Sequence, residues 1–250
     1  WSSDVCSSDL GTLAGSYQET LDTLARFRFT EGLWARRVDM WTEDTAVQQK
    51  IAYRLGWLDA LAVAEQHVDR ARACAAAARA DGFSDVVLLG MGGSSLAPEV
   101  MRQVLGVAPG FPRFQMLDSV DPESVAAALA RPAQTLFVFA SKSGGTIEPN
   151  AMAAEAVARL TAAGVENPGS RFIAITDEGT ALHQKAVAER FRDIFINPSD
   201  IGGRFSALSL FGIVPAALMG ADLPAFLRQA RQMAEACRRP ESSNPGVQLG

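Results

Sequence analysis

The chain has 250 residues, 48% of them hydrophobic, with a formal net charge of −5 and a sequence pI of about 5.2. That length allows one large domain or two small ones around a sizeable core. The acidic balance and the lack of any Lys or Arg block argue against a nucleic-acid partner, and no apolar run reaches the ~18 residues of a membrane span.

Trp1–Leu10 (WSSDVCSSDL) is Ser/Asp-rich and has no periodicity. It lacks the basic start and apolar middle of a signal peptide. One reading frame of a common sequencing-library adapter translates to these same ten residues, so read-through of an adapter is the expectation for this stretch. Residues 11–80 read as helical, with Leu21, Leu24, Phe27 and Trp34 at helix-like spacing. From Ala62 to Ala80 the chain is Ala-rich, with Arg and Asp to one side, as in a surface helix, and Asp81-Gly82 ends it.

An alternating pattern follows. Strands are predicted at Asp85–Leu89, Phe114–Leu117, Thr135–Ala140, Arg171–Thr176 and Asp193–Ile196. Helices are predicted at Leu96–Leu105, Glu123–Ala130, Glu148–Ala163 and Ala181–Arg190, then at Ser206–Met219 and from Leu223 to about Arg239. Continuous apolar strands alternating with helices indicate an α/β fold: a five-stranded parallel sheet with helices on both faces, preceded by a helical extension.

Cys6, Cys74 and Cys237 are far apart and odd in number. A disulfide framework and a zinc site are both disfavoured, which fits a reducing cytoplasm. His67 and His183 lack metal-ligand spacing and sit in helical stretches as surface residues.

Three segments carry candidate chemistry. Gly90-Met91-Gly92-Gly93-Ser94-Ser95 lies between a strand and a helix, where backbone can approach a ligand and free N–H groups attract an anion. A nicotinamide-cofactor loop, with Asp118 ending the next strand, is a rival reading, although the third glycine is missing and Asp118 suits the turn before Asp121-Pro122. A plain tight turn is the simplest alternative. Ser141-Lys142-Ser143-Gly144-Gly145-Thr146 follows the third strand. Its hydroxyls and glycines suit the three oxygens of a phosphate monoester, without the Walker order. Lys142 could supply a point charge, or only its N–H; a helix-capping turn is the plain alternative. Asp200-Ile201-Gly202-Gly203-Arg204-Phe205-Ser206 presents an arginine able to steady a developing oxyanion, or to pair with Asp200 or another carboxylate.

Together GMGGSSLAPE, SKSGGTIEPN and DIGGRFSALSLFG resemble three segments of the glucose-6-phosphate isomerase family, the last most specifically. The resemblance covers about residues 30 to 250. It implies the first of two phosphosugar-isomerase (SIS-type) α/β domains, with residues 81–240 as that domain, 11–80 as the extension and 241–250 as the start of a connection to a second domain. Ser94, Ser141, Ser143 and Thr146 match the family's phosphate contacts, with Lys142 adding backbone or charge. Gly92 and Gly93 match positions near the sugar, Glu148 a carboxylate that orients other groups, and Arg204 the arginine that stabilises the enediolate. The implied reaction exchanges glucose 6-phosphate and fructose 6-phosphate through a cis-enediol, with no metal or organic cofactor, in a cytoplasmic homodimer.

The family's base glutamate, ring-opening histidine and late lysine lie beyond the arginine segment and have no counterpart here. The chain is therefore expected to be a fragment that binds a 6-phosphosugar without converting it. Trp34 to Asp59 resembles the lead-in found where a transaldolase is fused ahead of the isomerase. The rival of a different class is a sugar-phosphate-sensing SIS module with no chemistry.

Overall fold

The computed structural model describes residues 11–249; Trp1–Leu10, with its expected adapter origin, and Gly250 lie outside the described residues. Among the described residues two compact units are present, one formed by residues 59–226 and the other by residues 11–58 with 227–249.

The larger unit holds the sheet. Its strands are β1 (Asp85–Gly90), β2 (Arg113–Leu117), β3 (Thr135–Ala140), β4 (Phe172–Asp177) and β5 (Asp193–Asn197). They lie in the order β2-β1-β3-β4-β5, and every pairing is parallel. The predicted strands are thus all present, with ends that agree to within about a residue. β1, β3 and β4 are buried along their whole length, which is why they read as unbroken apolar runs rather than alternating ones.

Five helices follow the strands in turn: α5 (Leu96–Leu105), α6 (Pro122–Ala128), α7 (Ile147–Ala162), α8 (Ala181–Ala188) and α9 (Leu210–Leu218). On one sheet face Val87, Leu89, Phe137, Phe139, Phe172 and Ala174 pack with Met152, Ala156 and Leu160 of α7 and Leu182 and Ala186 of α8. The strand residues of opposite parity, among them Val86, Leu88, Leu136, Val138, Ile173 and Ile175, are equally inaccessible. On that second side α9 packs against β5, α5 and the helix α4 (Ala60–Ala80). All nine residues of α9 are buried, as an all-round apolar helix must be.

Two features depart from the sequence reading. The helix expected at Ser206–Met219 is split: Gly203–Leu208 forms a 3-10 turn, and Ser209 is extended with φ −92° and ψ −176°. The Ser209 hydroxyl accepts from the Phe211 N–H at 3.3 Å, so a serine inside an apolar run has become the cap of α9. The Ala-rich helix α4, read as a surface helix of the extension, belongs to the sheet unit. It buries Ala64, Ala71, Cys74, Ala75 and Ala78 on one side. Alanine signals no polarity of face, so the buried side was hidden in the sequence.

In that setting burial pushes the Cys74 thiol up to about 12, and nearby Asp193 adds to the effect. An alkylating reagent at about pH 8 is expected to spare Cys74 in the native chain and to modify it after denaturation. Peptide mapping by mass spectrometry reads the outcome, and rapid native labelling of Cys74 would contradict it.

The smaller unit contains α1 (Ala14–Arg26), α2 (Phe29–Trp34), α3 (Thr45–Arg54) and the short C-terminal helix α11 (Pro245–Leu249), while α10 (Leu223–Ala236) crosses the division. Residues expected to begin a connection are here tied to the extension. Buried Glu241 accepts from the Thr30 N–H at 2.9 Å, and buried Asn244 donates to the Cys237 carbonyl at 2.8 Å. The Trp34 indole N–H donates to that same carbonyl at 2.9 Å. Among the described residues no helix is long and apolar enough to cross a membrane.

Candidate phosphosugar site

In this strand order the chain winds outward from β1 to one side and from β3 to the other. The crevice at the carboxyl ends of β1 and β3 is therefore the topological switch point, where open parallel sheets bind ligands. The loops that flank it are Met91–Ser95 and Ser141–Thr146, two of the three segments singled out by sequence.

Helix capping sets these two loops apart from their neighbours. The helix after β2 is capped by Asp121, the helix after β4 by Thr180, and the helix after β5 by Ser209, each side chain accepting a backbone N–H. The helices after β1 and β3 have Ser95 and Thr146 at the cap position, and neither side chain caps. At the switch point, then, each helix N-terminus keeps two first-turn N–H groups for an outside acceptor, those of Leu96 and Ala97 and those of Ile147 and Glu148. Pro98 and Pro149 have none, and Glu99 and Asn150 already bond the Ser95 and Thr146 carbonyls. The plain reading of the second loop, a capping Ser/Thr turn, loses its support here. The helix after β2 is capped by Asp121, and the turn ahead of it is closed by Ser119, whose Oγ accepts from the Asp121 N–H at 3.1 Å.

The Ser141–Thr146 loop is held from within. Buried Ser141 accepts from the Gly144 N–H at 3.2 Å. Exposed Ser143 accepts from the Gly145 N–H at 3.3 Å. Gly144 has φ +69°, and a Cβ there would lie 2.6 Å from the Leu182 backbone nitrogen, so only glycine fits. Asn150, in the second turn of α7, donates to the carbonyls of Gly144 at 3.1 Å and Thr146 at 2.7 Å. Thr146 is half-buried, and Glu148 sits half-buried in the first turn of α7.

The first glycine loop and the arginine segment touch. A Cβ on Gly93 would lie 2.5 Å from the Gly203 Cα, so the two backbones meet through a pair of glycines. Buried Ser206 reaches both sides of the joint, 2.8 Å from the Gly93 carbonyl and 2.6 Å from that of Gly203. Gly92 (φ +53°) and half-buried Ser94 complete the turn. Arg204 is exposed and enters no ion pair with Asp200 or any other described carboxylate. It lies at a groove of about 400 Å³ whose other walls include Leu96, Val100 and Val104 of α5.

Lys142 takes a position that neither sequence alternative foresaw. Its ammonium donates to Asp177 Oδ2 at 2.6 Å and to the Ser199 carbonyl at 2.6 Å. Asp177, Ser199, Ser206 and Asn150 are the site residues that sequence reasoning missed. Asp177 could have been found as the charged residue ending the strand beside β3. Ser206 and Asn150 stand inside quoted motifs but had no role assigned. His67 and His183 are each bonded within their own helix or turn. Among the described residues no three His, Cys, Asp or Glu side chains gather as a metal-ligand group.

Comparison with known proteins follows the same lines. The phosphoglucose isomerase family model matches residues 61–244. The glucose-6-phosphate isomerase of Prochlorococcus marinus (strain NATL2A) is 37% identical over 172 residues, covering 67% of this chain and 33% of that protein. The glucose-6-phosphate isomerase of Synechococcus sp. (strain CC9902) is 40% identical over 171 residues, covering 66% and 32%. The chain thus spans about a third of the length of the curated relatives it matches. Among solved structures, a hypothetical protein from Thermus thermophilus superposes with a TM-score of 0.77 at 30% identity, over 94% of this chain and 54% of that one. A glucose-6-phosphate isomerase from Chlamydia trachomatis gives 0.65 at 27% identity, over 86% and 40%. With the family model covering most of the sheet unit and its switch-point loops, the chain belongs to the phosphoglucose isomerase family.

Proposed function

We propose that the crevice binds a 6-phosphosugar, and that the chain is the phosphate- and enediolate-binding part of an enzyme interconverting glucose 6-phosphate and fructose 6-phosphate. The observation that carries this reading is the pair of uncapped helix N-termini at the switch point. Uncapped N–H groups with Ser143 and Thr146 hydroxyls beside them match a dianion with three acceptor oxygens. Ser94 faces the same need from the other loop, and Ser141 shapes the nest from inside. Gly92 and Gly93 let the backbone approach the sugar. Arg204, without a carboxylate partner in the described residues, is available to a developing enediolate oxygen. Glu148, next to the loop, orients groups rather than taking the proton.

Aldose–ketose exchange also needs a carboxylate base to carry a proton between C2 and C1. We assign none within this chain, consistent with its covering a third of the relatives' length. The 250-residue chain is therefore expected to bind glucose 6-phosphate but not to isomerise it. Calorimetry should give saturable binding, weakened about ten- to hundredfold by Thr146→Val or Ser143→Ala, each losing a hydrogen bond to a charged group. A coupled assay for fructose 6-phosphate should stay at background. Absence of binding would sink the reading of the site, and robust turnover would sink the absence of a base. A transaldolase preceding this region in the parent is a further proposal, tested by the contiguous gene sequence.

A further inference from the structure

We propose that Lys142 and Asp177 are a positioning pair that ties the phosphate loop to the segment bearing Arg204, and that the lysine's charge is spent on this tie rather than on the phosphate. The inference rests on the phosphosugar reading of the crevice.

Three strand ends meet at one ammonium. Lys142 belongs to the loop after β3, Asp177 ends β4, and Ser199 lies between β5 and Arg204. Two of the three ammonium donors are committed, to Asp177 Oδ2 and to the Ser199 carbonyl, both at 2.6 Å. The main chain of Lys142 is fixed as well: its carbonyl accepts from the Asp177 N–H at 3.2 Å and lies 3.4 Å from the Thr176 hydroxyl. Thr176 Oγ1 is in turn 2.7 Å from Thr180 Oγ1, the cap of α8. The lysine therefore cannot swing toward a ligand without giving up a link to each neighbouring strand end.

The carboxylate depends on this partner. Asp177 is 9% exposed, and its Oδ1 is buried with no hydrogen-bond partner. Burial pushes its carboxyl up, Lys142 pulls it back, and Asp200 works against ionisation. A buried carboxylate whose second oxygen is unpartnered needs the cation beside it. The pair's net charge is near zero, so it offers a phosphate little attraction. That role falls to the hydroxyls and N–H groups of the loop. Asp177 is accordingly a positioning residue, acting on the ligand through Lys142 and Ser199.

The test compares the 250-residue chain with Lys142→Met, Asp177→Asn and the double variant. Calorimetry with glucose 6-phosphate and hydrogen exchange of backbone amides supply the two readouts, and circular dichroism checks the fold. Each single variant is expected to weaken binding by about five- to tenfold, and the double variant no more than Lys142→Met alone. Exchange in residues 199–204 is expected to quicken in both singles. Lys142 bonds Ser199 directly and Asp177 reaches it through the lysine, so a purely local role for the pair would not quicken exchange there in Asp177→Asn. Tighter or unchanged binding by Asp177→Asn, with binding lost in Lys142→Met, would make the lysine a direct phosphate ligand and overturn the proposal. Unchanged exchange over residues 199–204 in both singles would overturn it too. If the parent chain binds no glucose 6-phosphate, the phosphosugar reading fails on its own, and exchange decides the tie.

Discussion

Gly93→Ala is expected to weaken glucose 6-phosphate binding by about five- to hundredfold and to destabilise the chain by about 1–3 kcal/mol. The added methyl would lie 2.5 Å from Gly203 Cα, 2.6 Å from its carbonyl carbon and 2.7 Å from its oxygen. All three are backbone atoms, so no flexible side chain can move aside. The two loops must part, and the Ser206 hydroxyl that spans Gly93 and Gly203 then loses one of its carbonyls. Arg204 is carried away with Gly203. Gly145→Ala provides the control, since a Cβ there meets nothing within 4 Å. Its stability in urea is expected to match the parent. Equal stability and affinity for Gly93→Ala would show that the joint yields freely.

Phe137→Ala is expected to cost about 3–5 kcal/mol, a large share of the about 5–15 kcal/mol that holds a domain together. Phe137 is fully buried at the centre of β3, the strand between β1 and β4. Its ring stacks on Phe172 at 5.1 Å, and Phe172 stacks on Phe191 at 5.0 Å. Removing the first ring leaves a cavity between the sheet and the helices packed on that face. Urea denaturation followed by circular dichroism measures the loss. A shift below about 1 kcal/mol would mean that the layer repacks. Ligand affinity of the folded fraction should persist, because Phe137 lies in the middle of the strand and not at the switch-point end.

The strands were legible because burial on both faces strips them of polar residues: TLFVFA and RFIAIT have no other reading at that length. The candidate loops were legible for a related reason. Gly and Ser clusters directly after such strands mark tight turns where a backbone can approach a ligand, though a plain or capping turn reads the same way. Lys142 resisted the same reasoning because its partner is chosen by register. Ala140 pairs with Ile175, which brings Lys142 and Asp177, each two residues further on, to one edge, and no local pattern encodes that offset. The Ser209 break was hidden because a lone serine is tolerated inside a helix as readily as it caps one. The face of α4 was hidden because alanine suits either side of a helix.

The parallel sheet also determines the order in which the crevice can come into being. Parallel strands admit no tight hairpin, so each pairing awaits a crossover that brings distant segments together. The pair that creates the switch point is β1 with β3, joining Asp85 to Thr135 across the whole of β2 and its helix. Chain closure of that kind is entropically costly and slow. The two uncapped helix ends therefore come together only through one of the sheet's longest closures, so the proposed crevice is expected to form late in folding.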